Sequence, residues 1–169
     1  GVATALCRKM GMRSCKELRE VREVCWAYKG ICAADLATLS SLGSVLPALK
    51  VLTLSESAAA PDSVQRLMEG LCAGALPALW HAALCDMNMD DASASALAVA
   101  LDRGALPRLT DLNLSSNDIG DAGLVALAPA LRRRPALEAL GLTGNPISDE
   151  GLAALVAPPQ PEAALLPPA

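Results

Sequence analysis

Three side chains could be drawn together as a nucleophilic centre. His81 and Cys85 stand four residues apart, and Asp111 follows His81 by 30 residues, so a thiol, an imidazole and a carboxylate are all available. A nucleophile and its base must approach within about 3.2 Å. In the strand register that starts at Leu79, Cys85 falls past the strand end, roughly two residues and about 6–7 Å further along the same face. The thiol is then out of reach, and His81 with Asp111 reads as a titratable pair. The six cysteines, at 7, 15, 25, 32, 72 and 85, contain no C-x-x-C, and His81 is the single histidine. Zinc needs four converging ligands, commonly in two close pairs, so free thiols packed as small apolar residues are expected. Arg132, Arg133 and Arg134 form one basic run in a chain of net charge −4. Without a matching basic face they read as cations at the negative end of a helix. No glycine-rich phosphate loop is present, because GALPAL from Gly74 and GALPRL from Gly104 sit at junctions between repeated units. These residues argue against an enzyme, a metal, a cofactor and a nucleic-acid partner.

The elements that must position these residues are set by a repeat. From Leu109 to Leu131 the chain reads LTDLNLSSNDIGDAGLVALAPAL. Leu112 and Leu114 alternate inward along a short strand while Asp111 and Asn113 face the other way. Asn117 turns the chain, and its amide can satisfy backbone groups that a tight bend leaves unpaired. Leu124, Leu127 and Leu131 then supply the apolar stripe of a helix. The strand pattern starts again at Val21, Leu49, Leu79, Leu109 and Leu137, in steps of 28, 30, 30 and 28 residues. The turn position holds Lys29, Ser57, Met87, Asn117 and Asn145, so only the last two units keep the amide. Ala82 stands where a strand leucine is expected, and Ala94 where a helix leucine is. One such unit cannot bury both faces alone and needs stacked neighbours.

Units of 28–30 residues with a full helix in each resemble the ribonuclease-inhibitor type of leucine-rich repeat, found also in the sensor regions of NOD-like receptors and in the Ran GTPase-activating protein. The resemblance covers roughly residues 2–157. It implies an α/β fold, a leucine-rich repeat horseshoe built as a right-handed β-α solenoid, with a parallel concave sheet and convex helices. Residues 1–157 are expected to hold about five repeats behind a leading helical half-repeat. Residues 158–169, with prolines at 158, 159, 161, 167 and 168, form a proline-rich mobile tail. Because the first helix lacks its strand, the chain is expected to be a fragment of a larger array, with a first helix that opens before the centre does.

Composition agrees with this architecture. Hydrophobic residues make up 53% of 169, yet the chain has two Trp, one Tyr and no Phe, so its core must be aliphatic. No apolar stretch reaches the roughly 18–20 residues of a membrane span, and no secretory signal opens the chain. A cytoplasmic, monomeric protein with no membrane contact is the expectation. Helix starts are marked by Asp62 with Ser63, by Asp90 with Asp91, and by Asp121, each expected to cap its own first turn. Gly74 and Gly104 are expected to close two helices.

The register specifies a surface. One outward row is Glu23, Val51, His81, Asp111 and Ala139, and the next is Cys25, Thr53, Ala83, Asn113 and Gly141. A flanking row holds Arg22, Lys50, Trp80, Thr110 and Glu138, and past the strands lie Tyr28, Glu56, Asp86, Ser116 and Gly144. Rows about 4.8 Å apart with no helix over them suit the gripping of another protein. The expected protein-binding residues are Trp80, His81, Asp111, Asn113, Lys50, Thr53, Glu23 and Asp86. The function expected is a non-catalytic interaction module; the alternative is a regulatory fragment of a GTPase-activating or NOD-like sensor protein.

Overall fold

The computed structural model describes residues 2–41, 46–56, 60–71 and 73–156. Within them one helix leads, and strands and helices then alternate. The order is α1 (Val2–Lys9), a 3₁₀ turn (Cys15–Arg19), β1 (Glu23–Ala27), α2 (Ala33–Ser41), β2 (Val51–Ser55), α3 (Pro61–Gly70), β3 (His81–Leu84), α4 (Asp91–Asp102), β4 (Asp111–Asn113), α5 (Asp121–Arg132), β5 (Ala139–Gly141) and α6 (Asp149–Val156). The expected tail, and the turn residue Ser57, lie outside the described residues.

All the described strands join one parallel sheet in chain order, β1-β2-β3-β4-β5. Parallel neighbours need a crossover, and each crossover here is a helix. The register aligns Glu23, Val51, His81, Asp111 and Ala139, then Val24, Leu52, Ala82, Leu112 and Leu140, then Cys25, Thr53, Ala83, Asn113 and Gly141. These are the rows the repeat spacing predicts. The inward row packs on the helix leucines, with Leu36, Leu39, Leu67, Leu97, Leu124 and Leu127 all at 0–1% exposure. Where Ala82 replaces a leucine between Leu52 and Leu112, a cavity of about 20 Å³ remains, bounded also by Leu67 and Leu97.

The turns are closed by side chains that reach from one repeat into the one before it. Asn117 Oδ1 accepts from the Met87 and Met89 amides at 2.9 and 3.1 Å, and its Nδ2 donates to the Leu84 and Leu114 carbonyls at 2.7 and 2.9 Å. Asn145 repeats the arrangement, accepting from Ile119 N and donating to Leu114 O and Leu142 O. Glu56, expected on the open sheet face, is instead buried and accepts from Gly30 N at 2.9 Å. An outward position at the strand end has been turned inward to satisfy the preceding turn.

Helix starts follow the same inter-repeat logic, which corrects the expectation of self-capping. Asp90 does cap its own helix, accepting from Ser93 N at 2.9 Å. At the start of α5, however, Gly120 carries no capping side chain, and Asp91 of the preceding repeat accepts from Gly120 N and Gly123 N at 2.7 and 3.0 Å. Asp121 in turn accepts from the Ser148 amide and hydroxyl, and these bonds hold its carboxyl below the usual carboxylate range. Gly123 is needed for the close approach, because a Cβ there would stand 2.5 Å from Asp91 Oδ1 and 3.1 Å from Asp91 Cα. Gly104 closes α4 as expected: it has φ +90°, its amide bonds Leu101 O, and the Ala105 amide bonds Ala100 O. Gly74 does not close α3, which ends at Gly70; it sits in the junction, where its amide donates to Gly104 O.

The arginine run is absorbed by helix ends and a neighbouring carboxylate. Arg134 occupies the place held by Leu76 and Leu106 in the earlier junctions, and its guanidinium donates to Leu101, Ala105 and Leu106 carbonyls at 2.6, 2.6 and 2.5 Å. Leu101 lies at the C-terminal end of α4, with Ala105 and Leu106 in the junction just after it, so the cation sits at the negative end of the preceding helix. Arg133 pairs with Asp102 at 3.5 Å, and Arg132 donates to Ala154 O.

At the leading end, α1 is fastened to the first full repeat by a polar clamp. Lys9 Nζ meets Asp35 Oδ2 at 2.5 Å, and the same oxygen accepts from the Cys32 amide and thiol at 2.9 and 3.1 Å. Burial alone would raise the Asp35 carboxyl, but the Cys32 amide and the Lys9 ammonium hold it below its ordinary value. The bond to Asp35 raises Lys9 in return.

Candidate functional site

The sheet face away from the helices carries every residue expected to bind a partner, but it does not gather them into one cluster. At its centre β3 and β4 lie side by side, which brings His81 Nδ1 to 3.3 Å from Asp111 Oδ2. Trp80, one residue before β3, stacks obliquely on His81, with ring centroids 5.6 Å apart and planes tilted by 58°. Trp80 is 45% exposed although its neighbour in sequence, Leu79, is fully buried. Trp80, His81 and Asp111 thus form an aromatic and polar grouping at the middle of the open face.

The remaining residues are more dispersed. Lys50 and Glu23 are exposed, at the start of β2 and β1, and Thr53 and Asn113 are half-buried in the second outward row. Asn113 is partly engaged locally, its Oδ1 accepting from Ser115 N at 3.0 Å. That carboxamide also explains Gly141 in the next strand, where a Cβ would stand 2.6 Å from Asn113 Oδ1. Asp86 lies past the strand end and accepts from the Tyr28 hydroxyl at 3.0 Å. Tyr28, 65% exposed, thus reaches two repeats along the face to bridge over the buried Glu56. Residue-by-residue reading of the rows placed Tyr28 on this side but could not foresee that bridge, which depends on Glu56 turning inward.

The surroundings of the Cys85 thiol do not activate it as a nucleophile. Cys85 follows the end of β3, its Sγ faces the Asn113 carbonyl at 4.0 Å, and burial, with the Asp86 carboxylate, pushes the thiol above its ordinary value. A thiol so placed is held protonated, the reverse of what a nucleophile needs. Among the described residues, Cys7 is buried as the expected apolar packing requires, whereas Cys25 and Cys32 are exposed free thiols. Those two sit on an outward strand position and in a turn, where no core covers them. Among the described residues, no three His, Cys, Asp or Glu side chains are placed to hold a metal ion, and no helix is long and apolar enough to cross a membrane.

Comparison with known proteins meets the same architecture. Residues 106–128 and 135–156 match a family described as Leucine Rich repeat. No curated protein sequence matches the chain. The chain is similar in fold to a solved structure titled Leiomodin-1 Actin-Binding Site 2, at 20% identity, a TM-score of 0.58, and coverage of 72% of this chain and 69% of that one. A crystal structure of an internalin from Listeria monocytogenes also matches, at 21% identity and a TM-score of 0.34, over 69% of this chain and 28% of its own. With five parallel strands in chain order, a helix in every crossover and asparagines laddered between turns, the fold is an α/β leucine-rich repeat solenoid.

Proposed function

We propose that the protein is a non-catalytic interaction module that grips a partner protein on the open face of its sheet, around Trp80, His81 and Asp111. The observation that carries this reading is the half-exposed indole of Trp80 set against the His81–Asp111 pair, on a face no described helix covers. Aromatic anchors beside satisfied polar groups carry a disproportionate share of interface energy. Lys50, Thr53, Glu23, Asn113 and Asp86 supply the polar surround. A chain of the same fold is titled an actin-binding site in leiomodin-1, so this solenoid does serve elsewhere as a protein-holding surface. Repeat steps of 28–30 residues and a helix in every unit support the ribonuclease-inhibitor subtype, in which the open face is the concave one.

The test needs a partner captured from the source organism and then purified. Trp80→Ala should weaken its binding by about 2 kcal/mol, about thirtyfold, and Asp111→Ala by a smaller factor. Gln65→Ala on α3, whose side chain is taken up by Glu69 at 2.9 Å, should change nothing. Unchanged affinity for both sheet-face variants would remove this face as the binding site.

A further inference from the structure

Two rows of the open face are built from small uncharged side chains. Cys25, Thr53, Ala83, Asn113 and Gly141 share one register row, and Ala27, Ser55, Cys85, Ser115 and Thr143 stand two residues further along their strands. Asparagine is the largest of these side chains, and Asn113 is folded onto the Ser115 amide. Taller groups bound the rows on both sides. On the strand-entry side stand Glu23, Val51, His81 and Asp111, with Trp80 beside them; on the exit side the Tyr28 hydroxyl donates to Asp86 across the buried Glu56. The result is a trough that runs across the strands. Four strand spacings make it about 19 Å long, and the residues from His81 to Asp86 set its walls about 16 Å apart.

Resting on the reading of this face as the binding surface, we infer that the partner enters the trough with an amphipathic α-helix laid across the strands, its flanks basic over β3 to β5. An α-helix with its side chains is about 10–12 Å across, so the trough accommodates it, and about 13 residues span the length. An extended segment is the poorer fit. The sheet's own amides and carbonyls bond within its plane, so a strand laid on the face would leave its main chain unpaired, whereas a helix satisfies its own. The small side chains of the floor leave room for Leu, Ile or Met of the occupant at i, i+3, i+4 and i+7. Its charge follows from the walls. Residues 80–90, 110–120 and 138–148, which form β3 to β5 with the turns after them, contain no Lys or Arg. They hold Asp86, Asp111, Asp118 and Glu138, besides Asp90, which is spent on its helix cap. Lys or Arg on the helix flanks meets these carboxylates, and one set over the half-exposed Trp80 indole gains a cation–π contact. Arg22 and Lys50 stand exposed before β1 and β2, so the basic flank belongs at the other end, and the helix has one way round.

The probe is a capped helical peptide of about 14 residues, with Leu at i, i+3, i+7 and i+10 and with Lys and Ala elsewhere. Titrated into the intact protein, it should shift the backbone NMR signals of Thr53, Ala83, Asn113 and Gly141, which lie in one row, and leave those of α3 to α5 in place. A peptide of the same composition with Leu scattered round the helix, and one with Glu for every Lys, should each bind at least about tenfold more weakly. Ser115→Arg, which raises a cation from the trough floor, should have a similar effect, and Trp80→Ala should weaken binding severalfold. The peptide series decides the matter even if Ser115→Arg proves unstable. No binding at millimolar peptide, equal binding of the three peptides, or signals shifted on α3 to α5 in place of the sheet would each overturn the inference. Failure of the helix alone leaves the captured partner sensitive to Trp80→Ala; failure of the face itself leaves that partner indifferent and removes both readings.

Discussion

Replacing Asn117 by alanine tests the inter-repeat ladder most directly. Asn117 is 9% exposed, and the two residues whose amides it accepts, Met87 and Met89, are both at 0%. Alanine leaves those two amides without an acceptor and takes a donor from Leu84 O, while Leu114 O keeps its bond from Asn145. A buried donor left unpaired costs about 1–3 kcal/mol. Two such donors give about 2–6 kcal/mol, which in a chain of this size lowers the thermal midpoint by about 4–24 °C. The assay is a set of paired thermal melts with Asn113→Ala as comparison, since the carboxamide of Asn113 holds one local bond at 3.0 Å and should cost no more than about 1 kcal/mol. Hydrogen exchange should accelerate at Met87 and Met89, 30 and 28 residues from the substitution, before it does in β1. Asn117→Asp sharpens the point. It keeps both acceptors but sets a buried carboxylate against two carbonyls, so its folded-state pKa is raised, and its cost should be full at neutral pH and shrink as the solution is acidified toward the carboxylate range. Equal, small effects from Asn117→Ala and Asn113→Ala would refute the ladder.

Three further outcomes follow from the same geometry. Gly123→Ala should destabilise by about 1–3 kcal/mol although alanine is the better helix former, because its Cβ displaces Asp91 from Gly120 N and Gly123 N; a more stable variant in chemical denaturation would contradict that cap. Ala82→Val should fill the adjacent cavity and raise stability by about 1 kcal/mol, and a lower denaturation midpoint would mean that the space cannot take two methyl groups. The clamp on α1 should follow its two titrations. Asp35, depressed in the folded state, contributes above its ordinary value of 3.8 and loses that contribution as pH falls through its folded value; Lys9, raised, contributes below 10.5 and loses it as pH rises further. Exchange of residues 2–14, corrected for its intrinsic pH dependence, should therefore outpace that of residues 109–114 throughout, and should speed up further below about pH 4 and above about pH 10.5 in the wild type but not in Lys9→Met. Exchange as slow in residues 2–14 as in 109–114 at neutral pH would mean that α1 is not the first element to open.

How much was legible in the sequence divides along a physical line. The repeat period sets which residues share a row, because parallel strands linked by helices of nearly constant length stack with equivalent positions side by side. Val21, Leu49, Leu79, Leu109 and Leu137 therefore sufficed to align His81 with Asp111 and to put Trp80 on the flanking row. The asparagine turns and the aliphatic core were readable for the same reason, since both are properties of one unit repeated. What the sequence could not disclose is which repeat a polar side chain serves. Asp121 looks like the cap of its own helix and caps the next one; Arg134 reads as a cation for α5 and neutralises α4; Glu56 falls on an outward row and is buried beneath the preceding turn. Each of these partnerships joins residues 26–33 apart in sequence, and each donor finds its acceptor only once the units have stacked within hydrogen-bond distance. Periodicity along the chain determined the scaffold and the rows; lateral packing between repeats decided the caps and the clamps.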